Sequence, residues 1–149
     1  MAAGTISPAF TAAIDRYIAG HHVVSLAASA ENAVWAASVF YSFDLPGRRL
    51  LFVTSPNTAH GRLMLANPTV AATISTQEKD VTKLQGIQLR GTSTLLAGAE
   101  ADRGRKLFAA ISPVPIIVNV ALWALAPTYL KMVDNSRGFS HKEEWPQLD

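Results

Sequence analysis

The chain contains no cysteine, which removes disulfides, thiol nucleophiles and thiolate-bound metals together. It is also poor in charge. Asp, Glu, Lys and Arg make up 16% of the residues and the formal net charge is only +2. No run of lysine and arginine is interleaved with aromatics, so a nucleic-acid partner is not expected. Long hydrophobic runs are missing too. The longest, Pro115–Ala126, is about a dozen residues, too short to span a bilayer, and no membrane partner is expected. The first residues lack the basic and apolar regions of a signal peptide, which points to the cytoplasm. Catalytic signatures are equally scarce, with no G-x-S-x-G elbow, no G-x-x-x-x-G-K-[ST] loop and no H-E-x-x-H. The four histidines, His21, His22, His60 and His141, have no acidic companions at ligand spacing, and no metal is expected. Any redox chemistry would therefore come from a bound cofactor.

What the chain does have is apolar residues, 49% of 149. That is enough for one core and one domain, with surface to spare for a second subunit. Residues 1–6 read as a loose tail. Ser7-Pro8 has the chemistry of a helix N-cap followed by proline at the first helical position. Phe10, Ala13, Ile14, Tyr17 and Ile18 then recur at helical spacing until Gly20.

From His22 the pattern turns to strands. His22–Ser29, Ala33–Asp44 and Arg48–Thr54 are separated by the turn signals Ala30-Glu31-Asn32 and Leu45-Pro46-Gly47, as in an antiparallel meander. Thr69–Thr76 alternates as a fourth strand, and Gln77–Lys83 is a charged loop. Leu84–Leu96 is a long fifth strand, where Gly86 and Gly91 suggest bulges. Glu100–Ile111 reads as a helix broken by Pro113 and Pro115. Ile116–Leu122 carries no decisive period, and Trp123–Val133 reads as a sixth strand. Residues 134–149 form a turn and a C-terminal tail. The fold class expected is mainly β (α+β), a six-stranded antiparallel split β-barrel with two or three small helices.

The stretch Leu50–Pro68 organises the rest. An apolar strand breaks into the polar turn Thr54-Ser55-Pro56-Asn57 and resumes as a short helix that Asn67-Pro68 stops. Thr58 is placed as its N-cap, with His60 and Arg62 in the first turn. A helix mouth of this kind, with free amides, hydroxyls and basic side chains, suits a phosphate.

The order of strands, the stretch Val53-Thr54-Ser55 followed by Thr58, His60, Asn67-Pro68 and Val70-Ala71, and a long strand carrying Gln88-Leu89-Arg90-Gly91 resemble the FMN-binding split barrel of the pyridoxamine 5′-phosphate oxidase-like superfamily. Asp134-Asn135 with Gly138-Phe139-Ser140-His141-Lys142 resembles an uncharacterised bacterial subgroup of it. The likeness runs from about His21 to Trp145. It implies a flavin laid along the second strand at Ser38, Val39 and Phe40, with Tyr41 next to them. Val53 and Thr54 would touch the ring and ribityl chain, and Thr58 and His60 the phosphate. The chain departs from the family pattern at three places. The basic residue at the phosphate is His60, Ala36 stands where an arginine is expected, and Gly86 stands where the oxidases have a ring-contacting glutamine, with Gln85 and Gln88 as neighbouring substitutes.

The resemblance further implies a homodimer with the cofactor at the subunit interface and an FMN-dependent oxidoreductase acting on a small organic substrate. The alternative is a non-catalytic module that holds another planar cofactor, a deazaflavin, a haem or another tetrapyrrole, on the same dimeric barrel.

Overall fold

The computed structural model describes residues 8–111 and 120–147. Seven strands form one antiparallel sheet: β1 (Val23–Ala30), β2 (Ala33–Asp44), β3 (Arg49–Val53), β4 (Thr69–Ser75), β5 (Gln85–Leu95), β6 (Leu122–Asp134) and β7 (Lys142–Trp145). Three α-helices accompany them, α1 (Ala12–Ala19), α2 (Ala59–Ala66) and α3 (Gly98–Ile111).

The strands run in the order β3-β2-β1-β4-β5-β6-β7, and β3 also pairs with β6. That second pairing closes the first six into a barrel, but only in part, because β3 covers β2 from Tyr41 to Asp44 alone. β6 is shared. Its first residues, Leu122–Leu125, pair with β3, and Leu130–Val133 pair with β7. The expected fold class holds, and β7 is a strand added from the segment read as tail. Its four residues, Lys-Glu-Glu-Trp, show why it is hard to read. An edge strand carries charge to discourage further pairing, and so lacks the apolar alternation that marks a strand.

Alternation decides the two faces elsewhere. In β4 every second residue (Val70, Ala72, Ile74) is buried, and in β5 Ile87 and Leu89 continue the row. With Val24, Leu26, Phe52, Trp123 and Leu130 they fill the barrel. α1 closes one end through Ile14, Tyr17 and Ile18. Its N-cap is Thr11, whose hydroxyl accepts from the amide of Ile14 at 3.3 Å, and not the expected Ser7-Pro8. Phe10 is therefore outside the helix, packed edge-on against Trp145 at 4.7 Å, while the Trp145 indole donates to the Pro8 carbonyl. α3 covers the outside of the β3–β6 seam, where Phe108 meets Leu51, Leu122 and Ala124.

Of the two glycines expected to bend β5, one does. The β5–β6 register shifts between Arg90 and Gly91, and a Cβ on Gly91 would overlap the Ala126 carbonyl. The ladder runs through Gly86 without a break. The β1–β2 hairpin turns on Glu31 and Asn32, both at positive φ, the two-residue geometry that matches strand twist. The expected tail at residues 1–6, the break at Pro113 and Pro115 and the start of the run from residue 116 lie outside the described residues. Of that run, Leu122 opens β6.

Candidate functional site

The site is built where β2 loses its partner. The β2–β3 ladder covers only Tyr41–Asp44. Beyond it β3 leaves, Val53 pairing with Leu122 and the amide of Thr54 donating to the Ala121 carbonyl at 3.1 Å. Ala33–Phe40 are then bonded to β1 alone. The amide of Tyr41 donates to the His22 carbonyl at 2.9 Å, and antiparallel partners exchange bonds at every second residue. Ala33, Trp35, Ala37 and Val39 therefore turn their backbone groups to β1. Val34, Ala36, Ser38 and Phe40 turn theirs to the other edge, which no strand covers among the described residues.

Side chains on this stretch are exposed on both faces. Val34 is 71% and Trp35 53% accessible although they point to opposite sides. Phe40, 50% accessible, lies parallel to the His22 ring at 5.7 Å. Ser38 meets Ser25 hydroxyl to hydroxyl at 3.1 Å. Val39 packs on the barrel core. Tyr41 is inside, its phenol donating to the Ile18 carbonyl at 2.6 Å, and burial pushes its ionisation far up.

A polar trio stands at the mouth of α2. Thr58 caps the helix as expected, its hydroxyl accepting from the Gly61 amide at 3.0 Å and donating to the Ser55 carbonyl at 2.7 Å. That loop presses so closely on the helix that a Cβ on Gly61 would overlap the Ser55 carbonyl. The His60 Nε2 lies 2.7 Å from the Thr54 hydroxyl and 3.3 Å from that of Thr58. Gly61 and Arg62 have their amides on Thr58. The amides of Ala59 and His60, in the first turn, have no helical acceptor. The indole of Trp123 donates to the Thr54 carbonyl at 3.0 Å and fixes the trio from inside the barrel.

The structure thus brings Thr54, Thr58 and His60 together and sets Val53 next to them, facing α3 instead. Ser38 and Phe40 present backbone to the open edge but carry their side chains on the outer face. His60 is not the exposed first-turn cation that its sequence position suggests. It is 9% accessible, and burial lowers its pKa from the ordinary imidazole value. The sequence gives no sign of this, because burial of one helical position depends on what the loop folds against. Trp123 was legible as a strand residue, and its bond to Thr54 was not. Gln85 and Gln88 lie on β5, away from the trio; Gln88 is exposed opposite Thr73 and Lys131.

The sign of the His60 effect on stability follows from linkage. With the folded pKa below the unfolded one, the unfolded chain takes up the proton first as pH falls. Stability is therefore full above about pH 6.5 and declines below it, with a slope of at most about 1.4 kcal/mol per pH unit, until the folded pKa is reached. Urea midpoints at pH 7.5, 6.5 and 5.5 should fall in that order. In His60→Asn the decline should flatten; an unchanged decline would mean that another group causes it.

No family model matches the chain. It is 35% identical over 136 residues to a UPF0306 protein of Yersinia pseudotuberculosis, covering 91% of this chain and 92% of that protein. A UPF0306 protein of Yersinia pestis matches to the same extent. The chain belongs to the UPF0306 family. Among solved structures it is similar to a haem-binding protein from Mycobacterium smegmatis, with a TM-score of 0.72 and 20% identity. That alignment covers 94% of this chain but 59% of the other, so the chain spans less than two thirds of that protein. It is also similar to a pyridoxamine 5′-phosphate oxidase-related, FMN-binding protein from Nostoc punctiforme, with a TM-score of 0.66, 14% identity and coverage of 95% and 90%. A haem storage protein from Vibrio cholerae has a TM-score of 0.58 at 14% identity. These likenesses show the fold, a split β-barrel with helices around it.

Proposed function

We propose that this chain binds FMN along the open edge of β2, at an interface between two copies, and serves as an oxidoreductase on a small organic substrate. The observation that carries the reading is that edge itself. Four alternate positions, Val34, Ala36, Ser38 and Phe40, offer to a planar heterocycle backbone donors and acceptors that no strand among the described residues pairs. Its phosphate end would reach the mouth of α2, where the amides of Ala59 and His60 and the exposed Arg62 provide hydrogen bonds and a charge. Thr54 and Thr58 hold the His60 ring in place, and Trp123 holds Thr54. Bound there, FMN would supply hydride or electron transfer through its N5. The apolar exposure of Val34 and Trp35 supports a second copy as the cover for the ring.

One observation supports haem as the second reading. His60 has its Nε2 engaged by threonine, but His22, just before β1, is exposed with its ring against Phe40 of β2 and could serve as an imidazole ligand. A deazaflavin would use the same edge as FMN.

The test is a titration of the purified protein with FMN followed by flavin fluorescence, alongside a titration with haemin followed by absorbance. The proposal expects saturable quenching in the micromolar range, weakened about tenfold by Arg62→Gln through loss of a charge-assisted contact. A sharp haem band that disappears in His22→Ala, with no response to FMN, would select the second reading.

A further inference from the structure

The segment Asp134–Lys142, singled out in the sequence and unused by the cofactor site, is held rigidly. Asn135 donates from its amide side chain to the Val81 carbonyl at 2.7 Å, accepts from the Ser140 amide at 2.9 Å, and donates from its backbone to the Leu84 carbonyl at 2.9 Å. The buried Asp134 carboxylate caps the short 3₁₀ turn Asn135–Arg137 by accepting from the amide and hydroxyl of Ser136. Gly138 follows at φ 118°, a conformation open chiefly to glycine. Asn135 thus ties the turn to the loop that precedes β5 by two hydrogen bonds.

This rigid turn forms one wall of a cleft of about 390 Å³, lined by Arg16, Tyr17 and His21 on one side and Gln85, Asp134 and Arg137 on the other. Met132 supplies apolar wall. The volume is at the lower end of ligand pockets. Its electrostatics are unbalanced. Two guanidiniums face one carboxylate, and that carboxylate is already occupied by Ser136. Hydrogen bonds from Ser136 and Gln85 and the charge of Arg137 outweigh its burial and hold it ionised below the usual carboxylate range. Arg137 reaches Glu143 only at 3.6 Å, longer than a close charge-assisted bond. Arg16 has no ion-pair partner among the described residues. The His21 Nδ1 donates to the Tyr17 carbonyl at 2.6 Å, with its ring stacked on Tyr17 at 4.0 Å. The second ring nitrogen is then left for a ligand.

We propose that this cleft binds a small anion, a carboxylate or phosphate group carried on a compact molecule, held between Arg16 and Arg137. Guanidinium forks match the planar carboxylate and the phosphate oxygens alike, while a cation would meet two positive charges. None of the lining residues belongs to the β2 edge or to the Thr54, Thr58 and His60 trio, so the site stands whether or not a flavin is bound.

The experiment is a titration of the ¹⁵N-labelled full chain, at constant ionic strength, with succinate in one arm and inorganic phosphate in the other. The expected result is saturable amide shifts confined to α1 and residues 134–138 in at least one arm, which also tells the two sources apart. Arg16→Gln and Arg137→Gln should each weaken that binding about tenfold, the size of one lost charge-assisted contact, with melting temperatures unchanged. Both side chains are exposed, so neither variant threatens the fold. No saturable shift in either arm, or unchanged affinity in both variants, overturns the proposal.

Discussion

Trp123→Ala should lower the unfolding free energy by about 3–5 kcal/mol, the range for emptying a buried aromatic position. Trp123 is 1% accessible, lies parallel to Phe52 at 6.5 Å and stands directly across from it on the β3–β6 seam. The loss has two parts that a second variant separates. Trp123→Phe keeps most of the apolar volume but removes the indole donor, leaving the buried Thr54 carbonyl unpaired at a cost of about 1–3 kcal/mol. Urea unfolding of both variants measures the two parts. Equal stability of Trp123→Phe and the parent would show that the Thr54 carbonyl finds another donor. Because Thr54 bonds His60, the phenylalanine variant should also loosen the mouth of α2, seen as shifted His60 ring resonances.

Trp35→Glu should convert the proposed dimer to a monomer and abolish flavin binding together, with little change in monomer stability. The side chain is half exposed and belongs to neither core cluster, so a charge there meets water in the isolated chain and surface substitutions of this kind stay within about 0.5 kcal/mol. Against a second subunit it would be a buried, unpaired carboxylate, which costs several kcal/mol. Light scattering behind size exclusion reads the mass, and FMN titration reads the site. Phe139→Glu is the control, since Phe139 is 81% accessible but lies on the β6–β7 turn, and it should alter neither. A Trp35→Glu protein that keeps the parental mass would remove the dimer from the reading.

The strands were legible because their signals are local. Ala33–Asp44 stands in the structure at the bounds its β-branched and aromatic run suggests, and Thr58 caps α2 as its side chain dictates. What could not be read depends on distant neighbours. Ser7-Pro8 has good capping chemistry, yet the helix begins after Thr11, where Phe10 can pack on Trp145 from the far end of the chain. β7 is a strand only because β6 overruns its pairing with β3. His60 stands out by its place in a motif, but its burial, which lowers its pKa, comes from Thr54 and the loop folded over it. The unpaired edge of β2 is visible only once β3 is seen to leave.

The pairing of β3 with β6 also shapes how the chain folds. Trp123 and Thr54 meet across 69 residues, whereas β1 and β2 meet across a two-residue turn. The hairpin can form early, but the seam must bring together segments separated by nearly half the chain, and that loop-closure entropy is lost before its contacts are gained. Barrel closure is therefore a late, slow step. Thr54 and His60 are local neighbours that can meet early, but the indole bond that fixes Thr54 forms only when the seam closes.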